Sequence, residues 1–117
     1  MWTVNWKEAV QDKLAIQLRN EIFIQYDAET QVLSVSRTDW ETGERETRER
    51  TLQSPLQHLN AWMDYSSLEL FVNEGEEVFT LRFFTEEDSL DFLIQQTVEQ
   101  EMVIEVYSMK ESEFIVE

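Results

Sequence analysis

The 117 residues predict an α+β domain, an antiparallel sheet of about five to seven strands with about three helices packed mainly on one face. Several stretches alternate apolar and polar residues between turn-forming clusters, as strands half-buried on one face do. Three others carry apolar residues at helix-compatible spacing behind capping residues. A 42% apolar content, with seven Phe, four Trp and three Tyr, suffices for one core across residues 1–117, read as a single domain.

Residues 5 to 20 predict the first helix, with Asn5 as N-cap, Glu8 three residues on, and Trp6, Val10, Leu14 and Leu18 every fourth residue. Strands follow in EIFIQYD, through Ile22, Ile24 and Tyr26, and in QVLSVSRTDW, through Leu33 and Val35, with a turn over Asp27 to Thr30. ETGERETRERT contains no apolar residue. Gly43 suits a turn there, and the mixed-charge strand after it, with Arg45 and Arg48, suits a sheet edge or a projecting arm. Ser54, Pro55 and Gln57 open a second predicted helix that buries Leu56, Leu59, Trp62 and Met63. LELFV and VFTLRFF form a hairpin bent at Gly75. Thr85 and Asp88 start a third helix along Leu90, Leu93, Ile94 and Val98, then MVIEVYSM gives a strand and FIV from Phe114 a possible last one.

Twenty-five Asp and Glu against nine Lys and Arg give a net charge of -16. Residues 51–117 hold fifteen of the acids and two of the bases, so the negative charge is concentrated in the second half. Such a surface repels nucleic acid and anionic membranes and suits basic proteins or cations. The absence of Cys excludes disulfides and thiolate chemistry and fits a reducing compartment. No signal peptide and no membrane-spanning run is present, so a cytoplasmic chain is expected.

Catalytic motifs are lacking. His58 is the sole histidine, no serine stands in a nucleophile elbow, and two glycines cannot build a phosphate-cradling loop, so no enzyme and no cofactor are expected. Acid pairs such as Asp88 and Asp91 are read as capping and solvating groups. The acids match no EF-hand spacing, so no dedicated metal site is expected. Carboxylates two apart on a strand stand about 6.7 Å apart, and those four apart on a helix about 6 Å along the axis, so folded elements can fix negative charges in a lattice.

In size, acidity and lack of catalytic motifs the chain resembles the small DNA-mimic proteins, including the bacterial mimic that binds the histone-like protein HU. The resemblance implies surface carboxylates that imitate the phosphates of duplex DNA and compete with DNA for a basic DNA-binding protein such as a histone-like nucleoid protein; a monomer that does not itself bind nucleic acid is expected. Its candidate partner-binding residues are Glu69, Glu74, Glu76, Glu77, Glu86, Glu87, Asp88, Asp91 and Glu105. Alternatives are an immunity or inhibitor protein against a toxin or nuclease, with Trp40 as a contact anchor, and a small acidic enzyme. Solubility or salt adaptation is the bland reading of the same charge.

Overall fold

A computed structural model describes residues 2–18, 22–38, 42–63, 67–82 and 92–106. They form ten strands: β1 (Trp2–Trp6), β2 (Lys13–Leu18), β3 (Ile22–Asp27), β4 (Val32–Thr38), β5 (Arg45–Thr51), β6 (His58–Met63), β7 (Ser67–Val72), β8 (Glu77–Arg82), β9 (Phe92–Gln96) and β10 (Met102–Val106). A 3₁₀ turn at Asn73–Gly75 joins β7 to β8. Two five-stranded antiparallel sheets result, ordered β10-β1-β6-β7-β8 and β5-β4-β3-β2-β9. The chain lays β1 in the first sheet, runs β2 to β5 as a meander in the second, returns for β6 to β8, then adds one edge strand to each.

Alternation fixes which face each strand buries. Trp2, Val4 and Trp6 from β1, Leu59 and Ala61 from β6, and Leu68, Leu70 and Val72 from β7 point into the sandwich. They meet Leu14, Ile16 and Leu18 from β2, Ile22, Ile24 and Tyr26 from β3, and Leu33 and Val35 from β4. Register holds the apolar sets opposite one another, as in Val4 with Leu59, Leu70 with Phe79, and Ile24 with both Ile16 and Val35.

Polar contacts tie the layers together. Trp6 Nε1 on β1 donates to Gln96 Oε1 on β9 at 3.0 Å, and Tyr26 Oη on β3 accepts from Leu56 N, just before β6, at 3.2 Å. Burial, opposed by the Leu56 hydrogen bond and reinforced by the nearby Asp27 and Glu76 charges, raises the Tyr26 hydroxyl above its ordinary value of 10.0.

The α+β expectation is corrected to an all-β sandwich, with no α-helix among the described residues. A four-residue spacing is also a multiple of the strand period of two, so Trp6, Val10, Leu14 and Leu18 fit both readings. Ile16 decides between them: it is off the helical stripe, yet fully buried between Leu14 and Leu18. The predicted helix at 54–63 fails for a related reason. Leu56 lies in the approach to β6 and its backbone bonds are long-range, Leu56 N to Tyr26 Oη and Val10 N to Leu56 O. Leu59 and Ala61 then alternate inward while Trp62 points out. Of the third predicted helix, residues 92–96 form β9 against β2, with Leu93 and Val98 exposed; residues 85–91 and the suggested strand at Phe114 lie outside the described residues.

The mixed-charge strand is an edge strand, β5, beside β4. Arg37 Nη2 pairs with Glu46 Oε2 at 2.7 Å, and the Arg45 guanidinium sits 4.3 Å from the Phe23 ring centroid. Arg48 Nη1 donates to Thr80 O on β8 at 2.9 Å, crossing the gap between sheet edges. No helix among the described residues is long and apolar enough to cross a membrane.

Candidate functional site

The outer face of the β10-β1-β6-β7-β8 sheet carries the most distinctive side chains. Because Trp2, Val4 and Trp6 point inward, Thr3 and Asn5 point outward; on β6 the outward set is His58, Asn60 and Trp62, and on β7 it includes Glu69 and Phe71. Register then assembles rows across the face. Glu105, Thr3, Asn60 and Phe71 form one, Asn5 pairs with His58, and Trp62 pairs with Glu69. An open cavity of about 540 Å³ lies among Thr3, Asn5, His58, Asn60, Trp62 and Phe71, with Glu74 and Gly75 at one end.

The cavity's groups are chemically specific. Trp62 is 47% exposed, far more than the core tryptophans Trp2 and Trp6. The His58 Nδ1 and Asn5 Oδ1 atoms share a 2.6 Å hydrogen bond, which orients both side chains. Asn60 Oδ1 is buried without a hydrogen-bond partner. The turn that closes the cavity is braced by Asn73, whose Oδ1 accepts from Gln57 N at 2.9 Å and His58 N at 3.1 Å. Its Nδ2 donates to Pro55 O at 3.0 Å.

The candidate carboxylates divide between two environments. Glu69, Glu74 and Glu105 are exposed and surround the cavity face. Glu76 and Glu77 turn toward the other sheet's edge: Glu76 Oε2 accepts from Gln53 N at 2.9 Å, and Glu77 Oε2 stands 4.0 Å from Arg50 Nε. Glu86, Glu87, Asp88 and Asp91 lie outside the described residues, as does Trp40. The sequence reading missed Asn5, Asn60, Trp62 and Phe71 because it placed the first three on helices. The signal was present in HLNAWM, whose alternation sets His58, Asn60 and Trp62 on one strand face.

Comparison with known proteins points away from DNA mimicry. The family model described as the C-terminal domain of the family 32 glycosyl hydrolases matches residues 1–111. A probable sucrose-6-phosphate hydrolase of Vibrio cholerae serotype O1 (strain El Tor Inaba N16961) is 44% identical over 64 residues, 54% of this chain and 12% of the relative. A sucrose-6-phosphate hydrolase of Staphylococcus xylosus is 39% identical over 70 residues, 56% of this chain and 14% of the relative. The chain therefore spans only a small part of the curated relatives it matches.

These matches correct four expectations: the resemblance to DNA mimics, the function of competing with DNA, the nucleoid-protein partner, and the reading of a non-enzyme. The error has a physical source. Length and net charge are global quantities, and a sandwich with an acidic solvent face shares them with proteins of unrelated function. The inhibitor and stand-alone small-enzyme alternatives are likewise not favoured by a match to one domain of larger hydrolases.

Proposed function

Because the chain belongs to the family 32 glycosyl hydrolase C-terminal domains, we propose that residues 1–117 act as one accessory β-sandwich of a glycosidase that hydrolyses sucrose 6-phosphate. The observation that carries this reading is the match over residues 1–111, joined to relatives named as sucrose-6-phosphate hydrolases. Glycoside hydrolysis uses two carboxylates held about 5 to 9.5 Å apart across the scissile bond. We assign that pair to the remainder of the enzyme, since the stretches matched here are 12% and 14% of the relatives. The sandwich supplies a rigid, thick-cored body against which such a remainder can be held.

The cytoplasm is the compartment we assign. A cysteine-free chain suits reducing conditions, and a charged sugar phosphate does not cross a bilayer unaided, so its hydrolase works where the ester is made.

Hydrolysis of sucrose 6-phosphate by the glycosidase carrying this domain, compared with the same enzyme lacking residues 1–111, tests the proposal. The expected result is a loss of activity, with a Tm lower by about 2 °C or more, since roughly 1 kcal/mol shifts the Tm of a larger protein less than that of a small domain. Equal activity and equal stability without the domain would sink it.

A further inference from the structure

We propose that the cavity on the outer face of β1, β6 and β7 binds a neutral sugar unit, stacked against Trp62, and rejects the phosphate ester of the same sugar. The inference rests on the glycosidase reading for the choice of a sugar, and on the cavity itself for the exclusion of phosphate.

A sugar presents an apolar C–H face on one side and hydroxyls around its rim. The cavity offers a match to both. The half-exposed Trp62 indole and the neighbouring Phe71 ring supply an amphipathic aromatic wall. Asn60, Thr3, Asn5 and His58 supply neutral hydrogen-bonding groups at fixed register positions. Asn60 places a side-chain amide in the cavity lining, and its Oδ1, buried without a hydrogen-bond partner, is an acceptor left for a ligand hydroxyl. The Asn5 and His58 side chains are already locked to each other, so little rotamer freedom is lost on binding. A volume of about 540 Å³ accommodates one or two rings.

Phosphate recognition calls for Arg, Lys or a helix N-terminus. Among the described residues the cavity wall contains none of them, and Glu74 lies in it while Glu69 flanks it on the same face. A sugar phosphate dianion would therefore meet the negative charge of Glu74 and Glu69. The groove on the opposite sheet, lined by Ala15, Gln25, Ser34 and Gln95, lacks an exposed aromatic ring and makes the natural control.

Backbone and indole NMR shifts of the full chain, titrated with sucrose and separately with sucrose 6-phosphate, decide the matter. Saturable shifts at Thr3, Asn60, Phe71 and the Trp62 indole are expected with sucrose at a Kd on the order of 1 to 10 mM, and at least about tenfold weaker binding with the phosphate at low salt. Trp62→Ala and Asn60→Ala should each weaken sucrose binding about tenfold or more while the Tm stays near that of the parent, and Gln25→Ala should leave binding unchanged. No saturable shift up to about 100 mM sucrose, shifts that survive both cavity variants, or equal binding of the two sugars would each overturn the proposal. Failure here with a domain deletion that still impairs hydrolysis removes the sugar site alone; sucrose binding with a harmless deletion removes the accessory-domain reading instead.

Discussion

Asn73 holds a left-handed backbone conformation at φ 47°, and its side chain spans the β7–β8 turn, the approach to β6 and the start of β6 itself. Asn tolerates positive φ better than most residues, and here it also satisfies two backbone N–H groups that no strand partner reaches. Asn73→Ala should therefore cost about 2 to 4 kcal/mol, from orphaned N–H groups plus backbone strain. Urea denaturation of the two proteins checks this, and a loss below about 0.5 kcal/mol would show that Asn73 is a passive surface residue. Tyr26 gives a prediction of the opposite kind, in pH. Its hydroxyl is held protonated above 10.0 in the fold by burial, so the unfolded chain loses the proton first as pH rises. The stabilisation is complete below the ordinary tyrosine value and declines as pH climbs from there through the raised folded value. Tyr26→Phe should flatten that alkaline decline relative to the parent, at a cost near neutrality of about 1 to 3 kcal/mol for the abandoned Leu56 N–H. Parallel urea titrations at pH 8 and above 10 compare the slopes; an equally steep decline in the variant would assign the alkaline loss to other groups.

At the scale of elements, the strands were legible wherever alternation ran unbroken between turns, as in Ile22 to Asp27, Val32 to Thr38 and Ser67 to Val72. They were misread as helices where a four-residue repeat coincided with a helix-start signature. Capping residues report a chain reversal or loop as readily as a helix start: Ser54 and Pro55 occupy a loop, and Asn5 belongs inside a strand. Ten strands also leave little room for local hydrogen bonding, so the fold is decided by pairings such as β1 with β10 and β2 with β9, which no short window displays. A pair of truncations separates the two readings cleanly. Ile16, off the helical stripe but 1% exposed, should cost about 2 to 5 kcal/mol when changed to Ala. Val98, on the stripe but 38% exposed, should change stability by less than about 0.5 kcal/mol on the same substitution. A reversed order of losses would contradict the strand assignment.

For the whole molecule, the charge that dominated the sequence reading finds a smaller place. A net charge of -16 on 117 residues says how the surface behaves in water, and the family match shows how little it says about function. The site was hidden for a related reason: neutral Asn, His and aromatic side chains add nothing to a charge profile, and only the strand register brings Asn5, Asn60, Trp62 and Phe71 together. The charge still has a thermodynamic consequence. Ion pairs among the described residues are few and mostly exposed, as Lys7 with Glu101 at 3.6 Å shows, and residues 51–117 hold only Arg82 and Lys110 against fifteen acids. Repulsion among these carboxylates is stronger in the compact fold than in the expanded unfolded chain, so screening should favour the fold. The screening length shrinks from about 30 Å at 0.01 M salt to about 3 Å at 1 M, which covers the spacing between neighbouring strand carboxylates. Raising NaCl from about 0.01 to about 0.5 M should accordingly lift the Tm by several degrees, roughly 1 kcal/mol or more for a domain this size. Glu69→Gln and Glu74→Gln together, which remove two charges from the cavity face, should reproduce part of that gain at low salt and reduce the further gain on adding NaCl. A Tm that is flat or falls with salt would mean that the acids are compensated within the fold, and the self-repulsion argument would fail.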